Sequence, residues 1–212
     1  MNPDINNTAR IIIRTFFIYG IITCIYLKYV LMSYDIIPNM NIKIFDYAKA
    51  IFAIMITWYF IYCLRSLENF HFIGGINLII HEAGHSILFF FGQFIQVLGG
   101  SLFQVAVPLV FAVYFLTKED IYSSGIVFLW VGESIIEVSR YASDAILMQL
   151  PLLGGDNVIH DWNWLLSYTN LLGYTSTIAS AIYTVGVLIM IGGFMIAFGS
   201  IVRRVYGVNI GI

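Results

Sequence analysis

Charge is what this 212-residue chain has least of: 10% of its residues are Asp, Glu, Lys or Arg, against 60% hydrophobic. With a mean hydropathy of +0.88, its apolar surface exceeds what one soluble core of this length can hide, which excludes an ordinary soluble domain. The ten basic residues are scattered and the formal net charge is -2, so there is no basic patch and no case for a nucleic-acid partner. Cysteine is nearly absent. Cys24 and Cys63 both fall inside apolar runs, which leaves no basis for a disulfide framework. A small-residue cleavage site is also missing after the polar stretch Met1–Arg10, so the apolar run behind it is expected to be an uncleaved span. No internal repeat, direct or inverted, is evident. The Asn6-Asn7-Thr8 sequon carries no weight, because this end of the chain is expected in the cytoplasm.

What is present is apolar length. At roughly 20 residues per crossing, the sequence predicts an all-α, polytopic membrane helix bundle of about six transmembrane helices, forming a single integral-membrane domain. The expected spans are Ile11–Met32, Phe45–Leu64, Gly74–Gly100, Ser101–Leu116 with Pro108 inside it, Tyr122–Gln149 and Ser176–Ile201. Gly99-Gly100 is taken as the stop of the third. With six spans, Arg10, Arg14, Arg65, Lys118, Arg203 and Arg204 fall on one side and Lys28, Lys43 and Lys49 on the other. The positive-inside rule then puts both termini in the cytoplasm.

Chemistry concentrates in the third span, at His81-Glu82-Ala83-Gly84-His85. On a helix, histidines four residues apart share a face and can hold one metal ion, while Glu82 beside them can take a proton from an attacking water. The chain has four histidines, and it spends two of them in a segment otherwise fit for lipid, where ionisable groups are costly and usually functional. The expected cofactor is therefore Zn2+, the expected base Glu82, and two of the ligands His81 and His85.

The fifth span carries Glu133, Glu137, Arg140 and Asp144, which at 100° per residue fall within a stripe about 60° wide. Such a stripe faces protein or water rather than lipid. It reads either as a polar seam between helices, with Glu137–Arg140 and Arg140–Asp144 at ion-pair spacing, or as part of the metal site. After it, Leu150–Trp162 is a Pro- and Gly-rich break that holds Asp156, His160 and Asp161 and leads into the aromatics Trp162, Trp164 and Tyr168, read as an interfacial belt. Zinc's preference for imidazole makes His160 the expected third ligand, if the segment folds back into the membrane. Asp144, Asp156, Asp161 and Glu137 are the alternatives for that position or for orienting the ligands from outside, with Glu133 also on the stripe. Gln104 and Asn163 are read first as interhelical bonding residues and second as contacts for an extended substrate backbone. His71 reads as an ordinary interfacial histidine.

The HEAGH motif in a membrane helix, together with LPLLGGD at Leu150–Asp156, resembles the intramembrane zinc metalloproteases of the site-2 protease type. The joint pattern HEAGH, GGSLFQ, YASDA and LPLLGGDNVIHDWNWLL, from about His81 to Leu166, resembles a group of small bacterial membrane proteins classed with those enzymes. The resemblance implies a zinc site with Asp156 as the aspartate ligand, and a membrane protein or peptide as substrate. Two other classes stay open: a metal-ion transporter, and a membrane subunit that binds metal without proteolysis. Retention of Glu82 favours an enzyme, because a purely structural site needs no base.

Overall fold

The computed structural model describes residues 44–65, 71–150 and 159–206, and Ile44–Val202 forms one compact unit. The expected first span, Cys24, Asp156 and most of the Pro- and Gly-rich segment lie outside the described residues. Among the described residues the fold is all-α, with six helices and no strand: α1 Ile44–Arg65, α2 Phe72–Ile87, α3 Gln93–Thr117, α4 Ile121–Ser143, α5 Asp161–Tyr168 and α6 Thr175–Tyr206. Four regions are long and apolar enough to cross a membrane, namely α1, α3, α4 and Leu172–Tyr206, the last being α6 with the short turn before it.

The burial pattern is that of a protein solvated by lipid. Large apolar side chains lie outward, among them Met55 at 63% exposure, Trp58 at 61% and Val110 at 66%, while Asn77, Ser124 and Ser134 are fully buried and Glu133 is 2% exposed. A water-soluble domain puts these classes the other way round. The chain is thus a helical membrane protein. Its apolar core joins α1, α4 and α6 through Phe60, Ile61, Leu129, Ile136 and Met190, and a second cluster joins Ala112 of α3 to Val131 and Ile135 of α4. Cys63 is buried in α1. Gly193 and Ala197, a small-residue pair at the spacing that lets membrane helices touch, do meet a neighbour: Gly193 lies against the α4 backbone at Leu129, and Ala197 against Gly125.

One span is corrected. The stretch Gly74–Gly100 is not a single helix. α2 ends at Ile87, Phe89–Phe91 forms a 3-10 turn, and Gly92 reverses the chain with φ 88° before α3 begins at Gln93. Such a φ is open to glycine and strained for other residues. Gly99-Gly100 and Ser101 are interior to α3, so the expected boundary between the third and fourth spans does not exist. At 16 residues, α2 is about 24 Å long, short of the ~30 Å hydrocarbon thickness. It packs against α3.

The loop at Lys118–Asp120 is exposed, as its charges require, and Asp120 caps α4 by accepting the Ser123 N–H at 3.1 Å. The Ser123 bonds hold the Asp120 carboxyl below the usual aspartate value. A depressed value in the folded state means the contribution is present above the unfolded aspartate pKa and is lost as pH falls through the folded one. Asp120→Ala should lower stability by about 1 kcal/mol, the typical effect of a lost cap, in detergent unfolding followed by circular dichroism at neutral pH. The difference from wild type should shrink as pH falls below the aspartate range.

Candidate metal centre

His81 and His85 stand one turn apart on α2, facing α3. Two glycines let them do so. A Cβ on Gly84 would come within 2.2 Å of the Gly99 carbonyl oxygen, so α2 and α3 cross at backbone contact. A Cβ on Gly100 would lie 2.4 Å from His81 Nε2 and 2.6 Å from His85 Nε2, so the room beside both ring nitrogens exists because residue 100 has no side chain. The rings meet edge to face with centroids 4.8 Å apart.

Each ring is held from behind. His81 Nδ1 faces Gln104 Oε1 at 3.1 Å, and His85 Nδ1 faces the Gln96 carbonyl at 2.8 Å. A carbonyl only accepts, so the His85 bond requires a proton on Nδ1, and in the neutral ring Nε2 then carries the lone pair. In front of both Nε2 atoms stands one carboxylate oxygen, Asp161 Oδ2, at 2.9 Å from His81 and 3.1 Å from His85. His81, His85 and Asp161 form a group of ligand atoms all within 4.8 Å of one another. His81 and Asp161 are buried and His85 is partly so. A proton on either ring makes these contacts hydrogen bonds, and the same three atoms, two imidazole nitrogens and a carboxylate oxygen, are a donor set that suits a zinc ion.

Asp161 reaches this position as the first residue of α5. Its backbone N–H donates to the Tyr141 hydroxyl at 3.1 Å, the Trp162 indole donates to Ser101 Oγ at 3.1 Å, and the Asn163 amide donates to the Ala145 carbonyl at 2.8 Å. Three successive residues thus bind α5 to α3 and to α4 and the turn after it. Asn163 is an interhelical bonding residue. Trp164 and Tyr168 stack with centroids 5.1 Å apart and meet Phe94 of α3, with Tyr168 at 66% exposure, as suits an interface.

His160 does not join this group. It is the residue before α5, and its side chain turns back to accept the Asn163 N–H at Nδ1, 3.2 Å away. Its buried Nε2 faces Asp144 Oδ2 at 3.4 Å, outside hydrogen-bond geometry, and its ring packs on Tyr141 with centroids 4.4 Å apart. Asp144 in turn accepts the N–H groups of Gln149 and Leu150, closing the turn after α4. Glu137 does not touch the centre directly. Its Oε2 accepts from Gln104 Nε2 at 2.9 Å and from Asn77 Nδ2 at 2.6 Å, and Glu133 accepts from the same Asn77 nitrogen at 2.9 Å. Glu133 and Glu137 are therefore tied by amides of α2 and α3, and the Arg140 charge acts on both carboxylates as well.

Glu82 is exposed beside His81, close enough for its charge to act on the His85 ring. His71 lies before α2 with its ring edge-on to Tyr62 at 5.4 Å. Sequence reasoning passed over Asn77, Tyr141, Trp130 and the Gln96 carbonyl. Asn77 had a signal: it lies four residues before His81, on the same helical face.

No family model, no curated protein and no solved structure matches this chain.

Proposed function

We propose that this membrane protein is a zinc-dependent hydrolase, with the ion held by His81, His85 and Asp161 and with a membrane-embedded or juxtamembrane peptide as its substrate. The observation that carries the reading is the convergence of two Nε2 atoms and one carboxylate oxygen on a point that Gly100 leaves open, each ring backed by an acceptor at Nδ1. That donor set suits zinc, and three protein ligands leave the further position that hydrolytic centres keep open. Once bound, the ion supplies a Lewis acid that polarises a carbonyl and acidifies water.

The chain's own residues do the rest. Gln104 and the Gln96 carbonyl orient the ligand rings, and Tyr141 anchors the backbone of Asp161. Glu82, exposed next to the ligand helix face, takes a proton from the attacking water and returns it to the leaving nitrogen. The short α2 lying against α3 keeps this chemistry among helices, where a dry site strengthens each electrostatic contact. The distribution of Lys and Arg supports both termini being cytoplasmic, and the resemblance to small bacterial membrane proteins supports a bacterial inner membrane.

The test is Glu82→Gln in protein purified in detergent and reconstituted with transmembrane peptides, zinc being measured by elemental analysis and products by mass spectrometry. The variant should keep its zinc and lose cleavage by about 10²–10⁴-fold, the usual contribution of a positioned base. A wild-type protein that holds zinc but cuts nothing would be a binding subunit, and zinc flux into proteoliposomes would make it a transporter. Either result overturns the hydrolase.

A further inference from the structure

The Nε2 of His81 is offered to the cation only if its ring proton sits on Nδ1, and Gln104 Oε1 at 3.1 Å enforces that only if the amide does not flip. Along the helices behind the ring, each neighbour fixes the orientation of the next. The Trp130 indole N–H can only donate, and at 2.8 Å it obliges the facing atom of Asn77 to be the carbonyl oxygen. Ser134 Oγ reaches the same oxygen at 3.4 Å. The Asn77 amide nitrogen then points the other way and supplies one N–H to each of Glu133 and Glu137. The oxygen of Glu137 that takes this N–H is an acceptor, so Gln104 presents its nitrogen to that oxygen, at 2.9 Å, and its carbonyl to His81.

We infer that Trp130, Asn77, Glu137 and Gln104 are positioning residues that fix the direction of a buried hydrogen-bond chain and thereby the tautomer of His81 that can hold a metal ion. The inference rests on the zinc reading of the site, and it assigns a task to the polar stripe of α4 that ligation does not. It depends on which atoms donate and which accept, so it makes opposite predictions for two substitutions at one position. Glu137→Gln keeps a carbonyl oxygen able to accept from both amides. Glu137→Met removes the acceptor and lets Gln104 turn its nitrogen toward His81, which pushes the ring proton to Nε2 and blocks the metal.

The experiment measures Zn2+ affinity by chelator competition in detergent for wild type, Gln104→Met, Glu137→Gln and Glu137→Met, with circular dichroism of each metal-free form as the check on folding. Loss of an outer partner to a ligand histidine typically weakens metal binding 10–100-fold. That loss is expected for Gln104→Met and Glu137→Met, with Glu137→Gln staying within about threefold of wild type, well short of that range. In the zinc-loaded protein the Nδ1–H proton of His81 should exchange slowly in wild type and Glu137→Gln, and fast or not at all visibly in Gln104→Met. Wild-type affinity in Gln104→Met overturns the inference, and so does Glu137→Gln binding as weakly as Glu137→Met, since charge rather than direction would then matter. If Glu137→Met fails to fold, Gln104→Met and Glu137→Gln decide alone. A wild-type protein that binds no zinc refutes the metal centre itself, an outcome separate from these.

Discussion

Alanine at Asp161 is expected to weaken zinc binding by more than about 100-fold, beyond the range for outer partners of a ligand, while alanine at His160 leaves zinc bound. Asp161 Oδ2 stands 2.9 and 3.1 Å from the two Nε2 atoms, so its removal deletes both a proposed ligand and the carboxylate that faces the rings. His160 is engaged elsewhere, accepting at Nδ1 from the start of α5 and facing Asp144 with Nε2. Its loss should act on folding instead: the cap of α5 goes, at about 1 kcal/mol, together with the packing on Tyr141. Chelator competition on the two purified variants separates these effects. Zinc lost from His160→Ala but retained by Asp161→Ala would mean that the third ligand is His160 and that α5 rearranges on binding.

The sequence carried the fold as far as apolar length could. The spans over α1 and α6 stand within a few residues of the helices because lipid demands a minimum length and polar loops end it. It misread Gly99-Gly100 as a stop because glycine breaks helices in water, whereas between membrane helices a glycine is where two backbones touch. The true break, Phe89-Phe90-Phe91-Gly92, is apolar and so invisible to hydropathy, and only the lone glycine marks it. Motif spacing placed His81 and His85 on one helical face without help from tertiary structure. The partner of that face was not legible, because imidazole preference singled out His160, whereas in the fold it is Asp161, the first residue of α5, that stands in front of the two rings. There the residue before the helix turns its side chain back to the backbone, and the next residue, Asp161, projects toward α2. Gln104 reads from the sequence as an interhelical bonding residue, and it does bond to His81 of α2 and Glu137 of α4. Its role depends on Asn77 and Trp130, which come from two other helices.

Glycine substitutions at the α2–α3 crossing should have effects as large as the loss of a ligand. Gly84→Ala sets a methyl group within 2.2 Å of the Gly99 carbonyl oxygen and 2.7 Å of its carbon, and rigid backbone cannot yield as a flexible side chain can. The helices must separate, at about 1–3 kcal/mol for an overpacked contact. Separation also draws His81 and His85 away from the acceptors on α3, Gln104 and the Gln96 carbonyl, so zinc affinity should fall with stability. Gly100→Ala makes the sharper distinction. Its methyl group meets the His81 and His85 ring nitrogens at 2.4 and 2.6 Å, the atoms proposed to hold the ion. The rings can swing aside more readily than backbone can, so the expected result is a fold close to wild type with zinc binding abolished. Gly192, which has nothing within 4 Å of a built Cβ, is the control: alanine there should be neutral or stabilise α6 by up to about 1 kcal/mol through helix propensity. Thermal unfolding in detergent, read beside zinc content, tests all three. Full zinc occupancy in Gly100→Ala would show that the ion does not sit between those two nitrogens, and the proposed centre would have to be abandoned.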